Sequence, residues 1–201
     1  MKANKVGIIG KKLGMTQVYD NGAIAGVTVI DFSDMEIIGK RTTEKDGYNA
    51  VILGYDFKTV RRKEKEFKKP RYCREIRIED SGVYDDDAKL SEAVSSIKKV
   101  DIAGIMKGRG FAGAIKRWHF NGGPATHGAK MHRRTGSIGM HTFPAHVFKG
   151  KHMPGHMGNT RVTVLGQKLV KFDAEKRLLF IRGNVPGANN GYVMVRDAIK
   201  A

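Results

Sequence analysis

The middle of the chain, residues 102–172, reads IAGIMKGRGFAGAIKRWHFNGGPATHGAKMHRRTGSIGMHTFPAHVFKGKHMPGHMGNTRVTVLGQKLVKF and contains neither aspartate nor glutamate. It holds 12 of the 37 lysines and arginines, all seven histidines and the only tryptophan, Trp118. Glycine and proline recur through it, and few aliphatic side chains lie between Phe120 and His146. Such a stretch cannot form a compact core of its own, and long segments of this kind are usually functional or disordered. We therefore expect an external polyanion to neutralise it.

The charge of the chain is concentrated in this stretch. The formal net charge of the 201 residues is +17 at pH 7. Residues 1–101 contribute +3, from 20 basic and 17 acidic residues, and residues 173–201 contribute +2, from five and three. The middle contributes +12, so only the flanks have the composition of an ordinary soluble protein. Because phosphate neutralisation by Lys and Arg supplies most non-specific nucleic-acid affinity, RNA is the favoured partner.

Other partners and compartments fit the sequence less well. A membrane-surface protein would need an amphipathic basic helix, which the glycines and prolines of residues 121–158 prevent. The longest apolar run, at 23–30, is far shorter than the roughly 18 residues of a membrane span, and the N-terminal VGIIG patch is too short for a signal peptide. Cys73 is the only cysteine, so neither a disulfide framework nor a cysteine zinc site is expected. We expect a soluble, intracellular protein.

Both flanks of the basic stretch are predicted to form β-strands. Short apolar and β-branched segments with Gly, Asn and Asp between them recur over residues 5–57, which is typical of a small barrel or sandwich. A hairpin is predicted at Asp20-Asn21-Gly22, because Asn and Gly tolerate the positive φ of such turns. Further strands are predicted at 71–78 (an edge strand), 96–105, 161–173, 176–183 and 191–199. The fold class is mainly β, with a domain built from both ends of the chain.

Three segments are predicted to be something other than strand. Residues 58–70 carry mixed charge and are predicted to be a solvated loop, with a second phosphate-contacting loop as the alternative. The acidic cluster Asp85–Asp87 is predicted to form the exposed first turn of a helix, where carboxylates favour the helix dipole. Residues 109–119 have helical periodicity, with Phe111, Ala114, Ile115 and Trp118 on one face. Trp118 is more simply a packing residue than a base-stacking one. Residues 121–158 are predicted to be irregular and mobile in the free protein.

The motifs that suggest other chemistry are incomplete. Residues 108–113 match G-x-G-x-x-G, but no acidic residue follows about 20 positions later to hold a dinucleotide ribose. His152 and His156 have the spacing of a zinc pair, yet Pro154 and Gly155 lie between them and no carboxylate or cysteine is near in sequence. Ser137 lacks an acidic orienter and a nucleophile elbow. We expect no enzyme activity, no metal and no cofactor; an unspecific nucleic-acid chaperone and a metal- or nucleotide-dependent enzyme remain as alternatives.

The chain resembles the L-three family of large-subunit ribosomal proteins, of the short bacterial type, over essentially its whole length. Residues 7–16 are similar to the family's G-x-x-G-x-K-x-G-M-T, and residues 107–120 to its K-G-x-G-F-x-G-x-x-K-R-W-x-F. The similarity continues through Thr126-His127-Gly128, Gly136-Ser137-Ile138-Gly139, Pro144, Val147-Phe148-Lys149-Gly150, Met153, Gly155, Met157-Gly158-Asn159 and Arg161-Val162-Thr163. One position departs: many bacterial members carry a glutamine, methylated in some, where this chain has Thr142. Glutamine methylation is excluded there.

The resemblance implies a structural constituent of the large ribosomal subunit. It implies a translation-protein-type β-barrel with small α+β additions (1–103 plus 160–201) and a long, irregular basic central extension (104–159) with a short helix near 110–118. It also implies binding to large-subunit rRNA near its 3′ end, nucleation of subunit assembly, neighbours L-fourteen and L-nineteen, and an extension that runs toward the peptidyl-transferase centre. We expect neither membrane contact nor a homo-oligomer.

The residues predicted to bind RNA combine cations with stacking side chains. Cations at the base and along the extension are expected to contact phosphates, and histidines with Phe143 are expected to stack or contact sugars. The predicted set is Lys11, Lys12, Lys107, Arg109, Lys116, Arg117, His119, His127, Lys130, His132, Arg133, Arg134, His141, Phe143, Lys149, Lys151, His152 and Arg161.

Overall fold

The computed structural model describes residues 6–20, 22–62, 65–78 and 81–199. The chain divides into two compact units. The barrel unit comprises the described residues up to Met106 and those from Arg161 onward, and the basic unit comprises Lys107–Thr160.

The elements follow one another in chain order and are mostly strands. The strands are β1 (Gly7–Asp20), β2 (Ala23–Asp31), β3 (Glu36–Arg41), β4 (Ala50–Arg62), β5 (Lys65–Arg77), β6 (Lys99–Ile105), β7 (Gly110–Ala112), β8 (Gly155–Met157), β9 (Arg161–Asp173), β10 (Leu178–Arg182) and β11 (Tyr192–Asp197). The helices are α1 (Thr43–Asp46), α2 (Asp87–Ser95) and α3 (Ala114–Trp118), with a 3₁₀ turn at Ser81–Tyr84. The predicted mainly β class is confirmed.

Six strands of the barrel unit close on themselves in the order β1-β11-β6-β9-β10-β2. All neighbouring strands of the barrel pair antiparallel. The first and last strands of the chain, β1 and β11, are neighbours in it. Closure removes the unpaired sheet edges that otherwise invite aggregation. The strands predicted at 161–173 and 176–183 correspond to β9 and β10, which pair antiparallel. β1 and β2 pair up to Asp20 and Ala23, while Asn21 of the predicted turn lies outside the described residues.

The barrel closes over a core of β-branched and aliphatic side chains. Ile9, Val27, Ile30, Ile102 and Ile181 are fully buried, as expected for strands whose apolar side chains face a closed interior. Asp101 is buried with them, but its carboxylate accepts hydrogen bonds from the backbone N–H groups of Gly166, at 2.8 Å, and Ile199, at 3.3 Å. A buried carboxylate is tolerated when its oxygens are hydrogen-bonded in this way.

A second sheet in the barrel unit has the order β3-β4-β5. Residues 71–78 were predicted to be an edge strand, and β5 is at the edge of this sheet. The prediction of a solvated loop over residues 58–70 is wrong for the described part, because the pairing of β4 with β5 extends to Arg62↔Lys65. The charged side chains hid the strand signal, since neither face carries the apolar alternation of a half-buried strand. Lys63 and Glu64 lie outside the described residues.

The acidic cluster and the predicted helix of the basic stretch have different outcomes. Asp86 is the N-cap of α2 and Asp87 lies in its first turn, which confirms the helix start. Asp85 forms an ion pair with Lys40, and that hydrogen bond lowers the pKa of the Asp85 carboxyl.

The helix predicted over residues 109–119 is wrong in its first half: β7 occupies Gly110–Ala112, and α3 has only five residues. Gly113 ends the strand and is the N-cap of the helix.

Candidate nucleic-acid interface

The basic unit combines high positive charge with exposure. It contains nine Lys and Arg, seven His and no Asp or Glu. All seven histidines are exposed, and so are eight of the nine cations; Arg117 is half-buried. The only buried residues of the unit are Ala112, Ala114 and Gly158, and every residue of the unit is described. The unit therefore has a strongly positive surface and little internal packing.

A short antiparallel ladder ties the two ends of the basic unit together. β7 pairs with β8 from Gly110↔Met157 to Ala112↔Gly155. The N–H of Arg109 donates to the carbonyl of Met157 at 2.8 Å. Gly158 has φ +81°, and a Cβ there would lie 2.3 Å from the Lys107 carbonyl oxygen. Only glycine fits this crossing, where Gly158 lies against the backbone of Lys107 and Arg109.

Side chains from α3 fasten the helix to the segment before β8. Trp118 stacks on His152 with ring centroids 3.9 Å apart and planes 3° from parallel. The Trp118 Nε1–H and an Arg117 Nη1–H both donate to the carbonyl of Met153, each at 2.9 Å. The Arg117 guanidinium lies 5.0 Å from the centre of the Trp118 ring, within range of a cation–π interaction. We call the side chains of Arg117, Trp118 and His152 with the Met153 carbonyl the clasp.

The clasp changes the interpretation of Trp118. Its ring packs against protein, as expected from the sequence, yet 37% of the residue remains exposed. The predicted apolar stripe is not formed on one helix, because Phe111 lies in β7 and is 80% exposed. Phe111 is thus a surface aromatic group among cations, a combination typical of surfaces on which unpaired bases stack, whereas the Trp118 ring is engaged by His152 and Arg117.

Inside the unit, the chain crosses itself near His132. The N–H of Gly123 donates to the carbonyl of His132 at 3.0 Å, and the ring Nδ1 of His132 lies 2.9 Å from the carbonyl oxygen of Pro124. His146 makes the same contact with the carbonyl of Pro144 at 2.7 Å. A carbonyl can only accept, so Nδ1 carries the proton in both rings, and in the neutral tautomer Nε2 remains an acceptor.

The segment around Thr142 presents the most exposed large apolar side chain of the unit. Phe143 is 87% exposed. The hydroxyl of Thr142 lies 2.8 Å from Nδ1 of His141, and an isolated β-bridge pairs the backbones of His141 and Pro144. An exposed aromatic ring on a tight turn is suited to contact with a base or sugar.

The predicted RNA-binding residues fall into two groups. Fifteen of the eighteen lie in the basic unit, and the other three, Lys11, Lys12 and Arg161, lie in the barrel unit. Lys12 is only 7% exposed, and its Nζ donates to the carbonyl of Val185 at 2.9 Å. Its ammonium is directed at backbone carbonyls of the barrel, a structural role that no sequence signal indicated. Arg161 is exposed and Lys11 is half-buried.

The alternative chemistries gain no support from the geometry. Within the part of the chain that the structure describes, no group of three or more His, Cys, Asp or Glu side chains is placed to hold a metal ion. The G-x-G-x-x-G segment leads into a three-residue strand paired antiparallel with β8 and a five-residue helix. A dinucleotide site requires a parallel βαβ unit, so this segment has another role.

Comparison with known proteins identifies the family. The family model described as Ribosomal protein L3 matches residues 76–177. Similar curated proteins are named Large ribosomal subunit protein uL3: that of Thermosipho melanesiensis is 46% identical over 199 residues (95% of this chain, 97% of the relative). That of Petrotoga mobilis is 44% identical over 205 residues (97% and 96%), and that of Fervidobacterium nodosum is 42% identical over 203 residues (96% and 98%).

These relatives are proteins of the large ribosomal subunit, and the matches span nearly the full length of this chain and of each relative. The chain belongs to the ribosomal protein L3 family. The resemblance found in its motifs is thereby confirmed. Across the described residues, no helix has the length and apolarity needed to cross a membrane.

Proposed function

We propose that the protein is a structural constituent of the large ribosomal subunit that binds large-subunit rRNA through the basic unit. The observation that carries the proposal is the exposure, in one compact unit, of eight cations and seven histidines without a single carboxylate. A surface of this kind attracts phosphates at long range and gains affinity by releasing their counterions. Membership of the family supports a ribosomal location in the cytoplasm.

The cations and the rings have different roles in this proposal. Lys130, Arg133, Arg134, Lys149 and Lys151 are exposed, and they contact phosphates, which fixes position and orientation without specifying sequence. The stacking and sugar contacts come from exposed rings such as those of His141 and Phe143. With Nδ1 donating to a carbonyl, His132 offers Nε2 as an acceptor for a ribose 2′-hydroxyl, the group that distinguishes RNA from DNA.

Finer roles rest on the resemblance to the family. They are binding near the 3′ end of the large-subunit RNA, nucleation of assembly, extension toward the peptidyl-transferase centre, and contact with L-fourteen and L-nineteen. The exposed turn at His141 and Phe143 supports a segment that inserts between RNA strands. The absence of acidic groups from the basic unit supports a binding role rather than general acid–base catalysis, which commonly uses carboxylates.

The test is binding to a fragment from the 3′ part of large-subunit rRNA and to a shuffled RNA of equal length, across a salt series. Preference for the native fragment that persists at high salt, and that is lost on deleting residues 121–158, is expected. Equal binding to both RNAs, with both affinities falling together as salt rises, would favour an unspecific chaperone and contradict the proposal.

A further inference from the structure

The hairpin of β4 and β5 continues beyond its sheet as a two-stranded ribbon. β3 pairs with β4 only as far as Gly54, whereas β4 and β5 remain paired through residues 57–70. We call residues 57–70 the ribbon; its described residues are 57–62 and 65–70. Isolated two-stranded hairpins are marginally stable in water. The ribbon therefore needs further contacts, either with the rest of the protein or with a binding partner, to be stable.

The anchor lies at Asp56, where the chain enters the ribbon. Asp56 has φ +57°, an uncommon conformation for a residue other than glycine. Its carboxylate accepts a hydrogen bond from the hydroxyl of Tyr192 in β11 at 2.6 Å and lies 3.7 Å from the Arg71 guanidinium. Tyr72 stacks on Tyr192 with ring centroids 5.1 Å apart. The base of the ribbon is thus fixed to a barrel strand, which holds the ribbon in a set direction.

The ribbon is strongly basic, and one pair of its lysines is placed unfavourably for the free protein. It contains seven Lys and Arg and two Glu in 14 residues. Lys58 lies directly opposite Lys69 in the ladder, and like charges in this position destabilise a strand pair. Among the described residues, none of Lys58, Arg61, Lys68 and Lys69 forms an ion pair, although cations such as Lys40, Lys168 and Arg177 do.

Cations point to both faces of the ribbon. Residues opposite each other in an antiparallel pair share a face, and the face alternates along the strand. Lys58, Lys69, Val60 and Phe67 therefore share one face, and Thr59, Lys68, Arg61 and Glu66 share the other. Phe67 is 46% exposed between the lysines of its face. A partner that satisfies both faces must present negative charge on two sides.

We propose that the ribbon is a second RNA-binding surface of this protein, which enters a groove or strand junction of folded RNA, with lysines and Arg61 on the flanking phosphates and Phe67 against a base or sugar. A two-stranded ribbon is narrow enough to enter a nucleic-acid groove, whose two walls carry phosphates. An acidic peptide would cover one face and leave the other unsatisfied. The inference rests on the proposed RNA-binding function and places part of it outside the basic unit.

The test uses the full chain and three double variants that each remove two positive charges. Lys58→Gln with Lys69→Gln alters one face, Arg61→Gln with Lys68→Gln alters the other, and Lys45→Gln with Lys98→Gln is the matched control at exposed sites outside the ribbon. Each ribbon variant is expected to weaken binding to the 3′ rRNA fragment and to reduce the slope of log K against log salt by about 1.4–1.8, from about 0.7–0.9 per phosphate contact. The control should leave the slope unchanged.

A basic-unit variant, Arg133→Gln with Arg134→Gln, separates the two proposals. If it weakens RNA binding while both ribbon variants match the control, the ribbon inference is overturned and the proposed function stands. If no variant differs from the control, both fail. Melting temperatures complete the test: removing Lys58 and Lys69 should leave the melting temperature unchanged or raise it, because a repulsive pair is lost. A lower melting temperature would show that these lysines serve the fold and would overturn the inference.

A probe placed on the ribbon gives an independent measurement. Cys73 is the only cysteine, so Thr59→Cys with Cys73→Ser places a tethered iron chelate on the ribbon, and Lys45→Cys with Cys73→Ser places it elsewhere on the same unit. We expect the probe at position 59 to cut the bound rRNA fragment at a discrete site. The probe at position 45 should give no cuts at that site. The same cuts from both positions would contradict the inference. So would a poly-glutamate chain that competes for the ribbon as well as RNA does.

Discussion

The barrel unit and the basic unit of the same chain are stabilised by different means. The described residues of the barrel unit bury a cluster of 23 hydrophobic side chains, whereas the basic unit buries two alanines and one glycine. All 20 acidic residues of the sequence lie outside the basic unit. The difference shows how one chain can combine a buried apolar core with an exposed and strongly positive surface.

The largest effect is expected from removing the cations of the basic unit. Replacing Lys130, Arg133, Arg134, Lys149 and Lys151 with Gln should reduce the salt slope of RNA binding by about 3.5–4.5, since each phosphate contact contributes about 0.7–0.9. All five are exposed, so thermal unfolding of the barrel unit should not change. Isothermal titration at several salt concentrations and a melting curve measure both. A large loss of stability would show instead that these cations serve the fold.

A smaller effect, confined to the basic unit, is expected for Gly158→Ala. The new Cβ would meet the Lys107 carbonyl oxygen at 2.3 Å in a backbone with φ +81°, so the β7–β8 crossing must shift. Strain at such a position costs about 1–3 kcal/mol. Gly139→Ala is the matched control, because nothing lies within 4 Å of its Cβ. We expect weaker RNA binding for the first variant only. Equal affinities of the two variants would mean that the crossing does not organise the interface.

The reverse pattern, a loss of stability without a loss of RNA contacts, is expected for Tyr84→Phe. The Tyr84 hydroxyl donates to the Gly7 carbonyl at 2.6 Å and accepts from the Gly7 N–H at 2.7 Å, both buried. Leaving these groups unpaired should lower the free energy of unfolding by about 1–3 kcal/mol. Tyr19→Phe, at an exposed tyrosine, is the control. Denaturant titration measures both, and equal stability of the two variants would contradict the account.

The same hydroxyl predicts a dependence of stability on pH. Burial, with a smaller contribution from Asp197, raises the pKa of Tyr84 to about 12, against the lowering effect of the Gly7 hydrogen bond. A folded-state pKa above the unfolded value of about 10 means that this contribution is complete below pH 10 and is lost as pH rises toward 12. Wild-type protein should lose more stability over that interval than Tyr84→Phe. Parallel curves would contradict this assignment.

The smallest effect is expected from opening the clasp. His152→Ala removes the ring stacked on Trp118, an interaction worth about 0.5–1.5 kcal/mol. His156→Ala is the control, because His156 lies in β8 outside the clasp. Since Trp118 is the only tryptophan, its fluorescence emission reports the contact directly. We expect a changed emission for His152→Ala and none for His156→Ala; the same spectrum for both would mean that the rings are not stacked in solution.

The sequence predicted the barrel unit well because its strands carry local signals. β-branched runs and Gly/Asn/Asp turns indicated β2, β9, β10 and β11, and the acidic turn indicated the start of α2. The ribbon was missed because its stability depends on pairing between β4 and β5 and on the Asp56 anchor to Tyr192. The Asp56–Tyr192 contact joins residues far apart in sequence, and exposed charges on both faces of the ribbon give no strand periodicity.

For the candidate interface, composition indicated the location and contacts supplied the organisation. The absence of acidic residues singled out the basic stretch, but nothing in its sequence indicated that Arg117 and Trp118 both donate to the Met153 carbonyl. A backbone acceptor has no residue-type signature. For Lys12 the residue type was misleading. It indicated a surface cation, but the ammonium donates to the Val185 carbonyl.

The measurement that tests the central claim most directly is amide hydrogen exchange of the full chain, free and bound to the 3′ rRNA fragment. We predict that amides in residues 121–158 exchange rapidly in the free protein and become protected on binding, whereas amides of the barrel strand β6 are protected in both states. Protection of 121–158 without RNA would show that the basic unit is stable by itself. Rapid exchange in the complex would show that RNA binds elsewhere, and either result would contradict the division of roles between the two units.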